Sequence, residues 1–255
     1  MSFTPVARAF ALIPLTLLVL PERAGAEPSA WVQGQHARAR LVPGGPDGGA
    51  RLVGLAIRLD PGFKTYWRHP GESGLPPTFS WAGSENLASA EVLWPVPTRF
   101  EDGGGVVHGY KNRALLPVRV VPADPARPVR LALKLDFGVC REICIPASAA
   151  LRLELGREKG SFRAAIEDAA ARVPRAVPLG AAGDLSVTGV AAQATDGKAK
   201  IAIAVRTPGD ATLFVEGPEG WYLAPGPLQP AAQADANGSF EIEILERPRQ
   251  PPTGP

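Results

Sequence analysis

The chain has 255 residues, 27 Lys and Arg against 25 Asp and Glu, and a formal net charge of +2. That near-balance gives no electrostatic footprint for nucleic acid, and 28 Gly with 28 Pro predict a chain rich in turns but short of low-complexity disorder. Only two cysteines are present, too few for a disulfide framework, and their spacing therefore carries the question of function.

The first 26 residues read as a secretory signal peptide: Arg8 gives a positive start, Ala9 to Leu20 ("AFALIPLTLLVL") an apolar run too short for a membrane span, and Ala24-Gly25-Ala26 a small-residue cleavage site. Cleavage after Ala26 removes Arg8, Glu22 and Arg23 and leaves +1. No later stretch is long and apolar enough to span a bilayer, so the mature chain is expected to be exported, soluble and not inserted in the membrane. Export places the cysteines where disulfides persist.

From Ala37 the pattern has period two. "ARARLVP" and "ARLVGLAIRLDPG" predict strands before the turn Asp60-Pro61-Gly62. "GFKTYWRHPGESGLPPTFSWAG" predicts a long ordered loop between strand-like ends at Lys64 to Trp67 and Thr78 to Trp81. In that loop Tyr66, Trp67 and His69 either line a docking surface or, as the sequence favours, supply core aromatics on a rigid connector. "ASAEVLWPVPTRF" predicts one strand whose Pro95 and Pro97 force an edge or an end. After the Gly103-Gly104-Gly105 connection, "RALLPVRVVP", "VRLALKLDFGVC" and "ASAALRLELGRE" all alternate.

One helix is expected in "SFRAAIEDAAARV", with Ser161 as N-cap and Phe162, Ala165, Ile166 and Ala169 on one stripe. Beyond the linker come strands at "LSVTGVAAQ", "KAKIAIAVRT", "ATLFVEGP" and "GSFEIEIL", with a turn carrying core aromatics over Glu216 to Tyr222. The expected fold is all-β, an immunoglobulin-like antiparallel β-sandwich followed by a second smaller β-domain. The expected boundaries are a signal peptide over 1–26, the cysteine-bearing domain over 27–158, helix and linker over 159–180, the second β-domain over 181–247 and a disordered tail over 248–255.

Cys140 and Cys144 sit within "DFGVCREICIP". Four residues of extended strand span roughly 13 Å, and a disulfide needs Cα atoms within about 7 Å, so the chain must turn between them. Val139, Ile143 and Ile145 are poor helix formers and Pro146 follows, which favours a tight loop at the end of the "LALKLDF" strand. Three uses fit such a pair: thiol exchange, a small structural staple, and a metal site completed by His108 or His69. A staple gains least from so short a ring, which favours exchange. Copper is disfavoured by a mature chain without methionine, and His36, His69 and His108 each read better as hydrogen-bonding residues than as ligands. Arg141 favours a thiolate and Glu142 opposes it, leaving the attacking sulfur undecided by charge. No cofactor motif, general base or nucleophilic triad is assembled, so the chain reads as an electron carrier, a protein-disulfide reductase component, more than a self-contained enzyme. Without a second thiol pair it must exchange with another protein.

The segments "LDPGFKTYWRHPGESGLPPTFSW", "VLWPVPTRF", "HGYKNRALLPVRV" and "FGVCREICIP" together resemble the periplasmic N-terminal domain of the thiol:disulfide interchange protein DsbD, and more closely its relatives in copper-sensitivity suppressor proteins of the ScsB type. The resemblance runs from about Ala37 to Leu155, and "LFVEGPEGWYLAP" is similar to the second β-domain of ScsB-like members. It implies a periplasmic, immunoglobulin-like domain whose cysteines take electrons from a membrane-embedded thiol reductase and pass them to oxidised periplasmic thiol proteins, with copper tolerance as one setting. It also implies that Cys144 forms the mixed disulfide and Cys140 resolves it. Such relatives commonly continue into a transmembrane domain and a thioredoxin-like domain; neither is read up to Pro255, which implies a stand-alone form with a separate electron donor. The family's cap loop falls near Asp102 to Gly105, here glycine, leaving Phe100 or Tyr110 as substitutes. The rival reading is a non-catalytic adaptor with a structural disulfide, or a copper- or zinc-binding protein.

Overall fold

In the computed structural model, residues 26–102, 105–195, 198–218, 220–233 and 236–246 are described. The signal peptide, save Ala26, and the tail over 248–255 lie outside them. Sixteen strands and one helix run in order: β1 Val32–Gln33, β2 Ala37–Asp47, β3 Ala50–Leu59, β4 Lys64–Gly71, β5 Thr78–Ser80, β6 Leu87–Val92, β7 Thr98–Asp102, β8 Gly105–Lys111, β9 Arg113–Pro122, β10 Val129–Cys140, β11 Cys144–Leu155, α1 Arg163–Ala170, β12 Ser186–Thr195, β13 Lys198–Arg206, β14 Tyr222–Pro225, β15 Gln229–Gln233 and β16 Ala236–Glu246.

The alternation of the sequence becomes two antiparallel sheets packed face to face. One has the order β1-β2-β3-β9-β6; the other has β11-β10-β4-β8-β7, with β5 paired to β10. In β10 the odd positions Leu131, Leu133, Leu135, Phe137 and Val139 point into the core, where they meet Leu41, Val53, Leu55, Ile57, Leu116 and Val118 of the opposite sheet. The even positions of β10, ending in Cys140, therefore lie on the other face.

Helix α1 covers the outside of the first sheet, its Ile166 fully buried against Val42 and Leu52. Its N-cap is Phe162 with no side-chain cap hydrogen bond, so the expected cap at Ser161 is not made; the Phe162 amide instead donates to the Pro43 carbonyl at 3.2 Å. Ala165 is exposed, which narrows the buried stripe to Ile166 and Ala169, flanked by half-buried Phe162.

Three further differences have local causes. The strand expected over 88–100 is two: β6 and β7 lie at edges of different sheets, because Pro95 and Pro97 have no amide to continue a ladder and the chain crosses between sheets there. Strand β8 was not expected from its sequence, "GVVHGYK". The "ATLFVEGP" segment, expected as a strand, has none; its alternation instead serves two surfaces. Leu213 and Val215 pack on the core of the third sheet, while Phe214 packs on the sandwich. That third sheet has the order β12-β13-β16-β14, with β15 paired to β16, so the "GWYLAPGPLQP" stretch supplies two strands. Its core is Ile203, Val205, Phe240 and Ile242. Among the described residues no helix is long and apolar enough to cross a membrane.

Candidate functional site

The hairpin β10–β11 carries both cysteines. Cys140 and Cys144 are direct cross-strand partners at its head, with Cα atoms 4.2 Å apart, and a disulfide joins them. Arg141, Glu142 and Ile143 form the turn, held by the Arg141 amide donating to the Ile143 carbonyl at 3.3 Å. This is the tight loop that the spacing predicts. All three turn residues are exposed, Ile143 to 73%.

The two sulfurs have different surroundings. Cys140 is 1% exposed and packs with Tyr66 and Val107, against which Phe100 also packs; Cys144 is exposed. One face of the second sheet explains the cover. Cys140 pairs with Lys64, Tyr66 with Gly109, and Phe100 with Val107, so β10, β4, β8 and β7 bring these side chains to the face away from the sandwich core. Of the two expected substitutes, Phe100 packs against the cluster of Tyr66, Val107 and Cys140. Tyr110 is committed elsewhere: it packs against the sandwich core and its hydroxyl donates to the Pro95 carbonyl at 2.7 Å, and burial raises its pKa. Residues 103 and 104 of the expected cap loop lie outside the described residues.

Tyr66 is the link between the sulfurs. Its hydroxyl lies 3.0 Å from Cys144 Sγ and, since a disulfide sulfur has no proton, the hydroxyl donates. Its ring lies between two glycines. A Cβ on Gly74 would come within 2.6 Å of Tyr66 Cε1, and one on Gly138 within 3.1 Å of Tyr66 Cδ2 and 2.8 Å of Leu75 Cβ. Trp67, one residue on, points the other way into the sandwich core, 3% exposed. Trp67 is therefore core, as the sequence favours, whereas Tyr66 is buried on the opposite face and reaches the site, which the sequence does not reveal.

The histidines are engaged apart from the sulfurs. His36 Nδ1 lies 2.9 Å from Asp60 Oδ2 and its ring stacks on Phe63; His69 Nε2 lies 3.6 Å from Glu216 Oε2. His108 is buried at 5%, its ring 5.0 Å from that of Phe214, and burial lowers its pKa, partly offset by a hydrogen bond to the His69 backbone. Among the described residues no cluster of three or more His, Cys, Asp or Glu could hold a metal ion. In the expected turn over Glu216 to Tyr222, Glu216 binds Arg68 at 2.6 Å, and Tyr222 is 42% exposed instead of core.

The comparisons with known proteins bear on the family and the fold. Residues 30–155 match the family described as "Thiol:disulfide interchange protein DsbD, N-terminal". Among solved structures the chain is similar to the N-terminal periplasmic domain of ScsB from Proteus mirabilis, with a TM-score of 0.65 and 24% identity over 87% of this chain and 86% of that one. That likeness shows the fold, an all-β immunoglobulin-like arrangement with a further sheet. No curated protein matches the chain. Residues 30–155 are accordingly a domain of the DsbD N-terminal family, with the Cys140–Cys144 disulfide at the head of its last hairpin.

Proposed function

We propose that the protein is a periplasmic thiol:disulfide interchange carrier, exported by the signal peptide over 1–26, that moves two electrons at a time from a membrane-embedded thiol reductase to oxidised periplasmic proteins. Residues 27–158 are the exchanging unit and residues 181–247 a second β-unit beside it. The observation that carries this reading is the asymmetry of the pair: Cys144 is open to a partner and Cys140 lies buried directly behind it.

The chemistry follows from that asymmetry. A donor thiolate attacks Cys144 Sγ, the Cys140–Cys144 bond breaks, and Cys140 leaves as a thiolate that takes up a proton. A second donor thiolate then attacks the donor's sulfur in the mixed disulfide, which releases Cys144 reduced and the donor oxidised. In the forward step Cys144 attacks a client disulfide, and Cys140 attacks Cys144 Sγ, releasing the client as a dithiol and restoring the internal bond. Tyr66 donates to the Cys144 sulfur, and Phe100 with Val107 keeps competing thiols away from Cys140. A role in copper tolerance would come through the clients so reduced.

Single substitutions test the assignment. With a disulfide-bearing model protein as substrate, Cys140→Ser is expected to accumulate the mixed disulfide on non-reducing gels, and Cys144→Ser to form none, both folds remaining intact by circular dichroism. Loss of folding in both variants, with no mixed disulfide from either, identifies the bond as a structural staple and refutes the carrier reading.

A further inference from the structure

Helix α1 covers only part of the outer face of the first sheet, where Val42, Leu52, Ala56 and Leu115 lie beneath it. Past the helix, toward the end where β3 turns into β4, the outward positions are basic. Gln33 pairs with Arg38, Arg38 with Arg58, and Arg58 with Arg113, so one row across β1, β2, β3 and β9 reads Gln, Arg, Arg, Arg. Their strand neighbours Ala37, Ala39, Ile57, Leu59 and Ala114 point into the sandwich core, which puts the row on the outer face. Directly opposed like charges disfavour sheet pairing, yet three guanidinium groups stand side by side here. Trp31 lies against them, its ring 5.0 Å from the guanidinium of Arg38, 4.5 Å from that of Arg40 and 5.3 Å from that of Arg58. Arg40 is half-buried between Trp31 and Phe162, and burial, with the charges of Arg58 and Arg38, lowers its pKa. All four residues of the row line one open cavity of about 480 Å³, together with Asp60 and Asn112. Asp60 is the one carboxylate of that lining among the described residues, and His36 Nδ1 occupies it at 2.9 Å. Among the described residues Arg38, Arg58 and Arg113 are in no ion pair.

The cavity lies at the end of the sandwich that carries the cysteine hairpin. The turn after Leu59 leads into β4, whose first residue pairs with Cys140. Contacts cross that turn: Asp60 holds His36, the His36 ring stacks on Phe63 at 4.3 Å, and the Arg141 guanidinium of the hairpin turn lies 5.6 Å from the centre of the Phe63 ring. Resting on the carrier reading above, we propose that the arginine row is a docking site for an acidic segment of the proteins that exchange with Cys144, whose carboxylates pair with Arg38, Arg58 and Arg113. A guanidinium grips a carboxylate through two parallel N–H donors, which makes arginine the residue suited to this ligand. Strands about 4.8 Å apart spread the three arginines over about 10 Å, the reach of two or three neighbouring acidic side chains. The amides of Gln33 and Asn112 add neutral donors to the same lining. A concave site beside the exchanging hairpin suits a protein partner better than a flat membrane surface. The partner's carboxylates also relieve the repulsion that the row carries in the isolated chain.

The test is the rate at which the reduced protein attacks two peptides, each with its cysteine activated as a pyridyl disulfide, that differ only in a run of glutamates or of glutamines beside the cysteine. Release of thiopyridone is followed by absorbance. At low salt the wild type is expected to prefer the glutamate peptide by about tenfold, and at high salt to lose the preference. The double variant Arg58→Gln, Arg113→Gln is expected to lose most of it. The matched pair Arg127→Gln, Arg157→Gln removes the same charge from exposed positions at the other end of the sandwich and is expected to keep it. Should the first double variant not fold by circular dichroism, Arg113→Gln alone is read the same way, with a partial loss expected. A wild type without the preference, a row variant that keeps it, or an equal loss in the matched pair overturns the inference. So does a wild type that ignores the glutamates and instead sediments with phosphatidylglycerol vesicles, which assigns the row to a membrane. If the reduced protein attacks neither peptide, the carrier reading fails and the docking site falls with it, a result distinct from equal attack on both.

Discussion

At the scale of single residues, Tyr66 joins the aromatic shell to the reacting sulfur. Its ring is 2% exposed and held between glycines, so Tyr66→Phe keeps the packing and removes the hydroxyl that donates to Cys144 Sγ. Stability in urea unfolding should fall by a modest amount, on the order of 1 to 2 kcal/mol, because the packing of the ring is kept. The reaction of the reduced protein with a model disulfide, followed by stopped flow, should slow severalfold because Cys144 loses a group that favours its thiolate. An unchanged rate would mean the hydroxyl is a bystander. The cysteines were legible in the sequence because they are the only two and because extended chain cannot span their separation. Tyr66 and Phe100 were not, since they reach the site from β4 and β7 and only the strand register tells which face each side chain takes. The motif "FKTYW" carried one usable signal: Lys64 and Tyr66 at alternate positions between Phe63 and Trp67, which are core.

At the scale of elements, alternation located most of the sandwich. β2, β3, β9 and β10 stand where period-two runs predict them, because alternate residues of each face the sandwich core, even where α1 also covers the outer face of β2 and β3. β8 escaped because Gly109 replaces a side chain where the backbone of β4 approaches: a Cβ there would lie 2.0 Å from the Thr65 carbonyl oxygen. The segment 211–217 misled for the opposite reason, since its alternating side chains face two different cores without joining a ladder. Helix α1 makes a sharper claim. Its Ile166 is 0% exposed and is a main anchor of the helix on the first sheet, so Ile166→Ala should cost about 2 to 5 kcal/mol in urea unfolding. A loss near zero would show that the helix is dispensable to the sandwich. The hairpin head, on the other sheet, should keep its exchange activity in the folded fraction of that variant.

At the scale of the whole molecule, the sandwich and the third sheet meet through Phe214, whose ring lies 5.9 Å from Trp67 and 5.0 Å from His108, and through the Arg68–Glu216 ion pair. His108 makes this contact pH-dependent. Burial, the nearby Arg99 and His69 lower its pKa below the ordinary 6.5, so between the two values the unfolded chain binds a proton that the folded chain refuses. The contribution is fully present above about pH 6.5 and is lost as the pH falls toward the folded pKa. Urea midpoints from pH 7.5 down to about 5 should therefore fall further for wild type than for His108→Leu. Parallel curves would place the acid sensitivity elsewhere. None of this was legible in the sequence, where His108 was one of three histidines with no neighbour to name; the tertiary contact that buries it comes from a segment more than a hundred residues later.

The central claim is that Cys140–Cys144 is a working bond, and its reduction potential tests that most directly. The protein without its signal peptide is equilibrated in graded thiol/disulfide buffers free of metal, and the alkylated cysteines are counted by mass. A carrier is expected at about −150 to −270 mV, the range of exchanging dithiols. A value below about −300 mV would mark a structural disulfide and contradict the account.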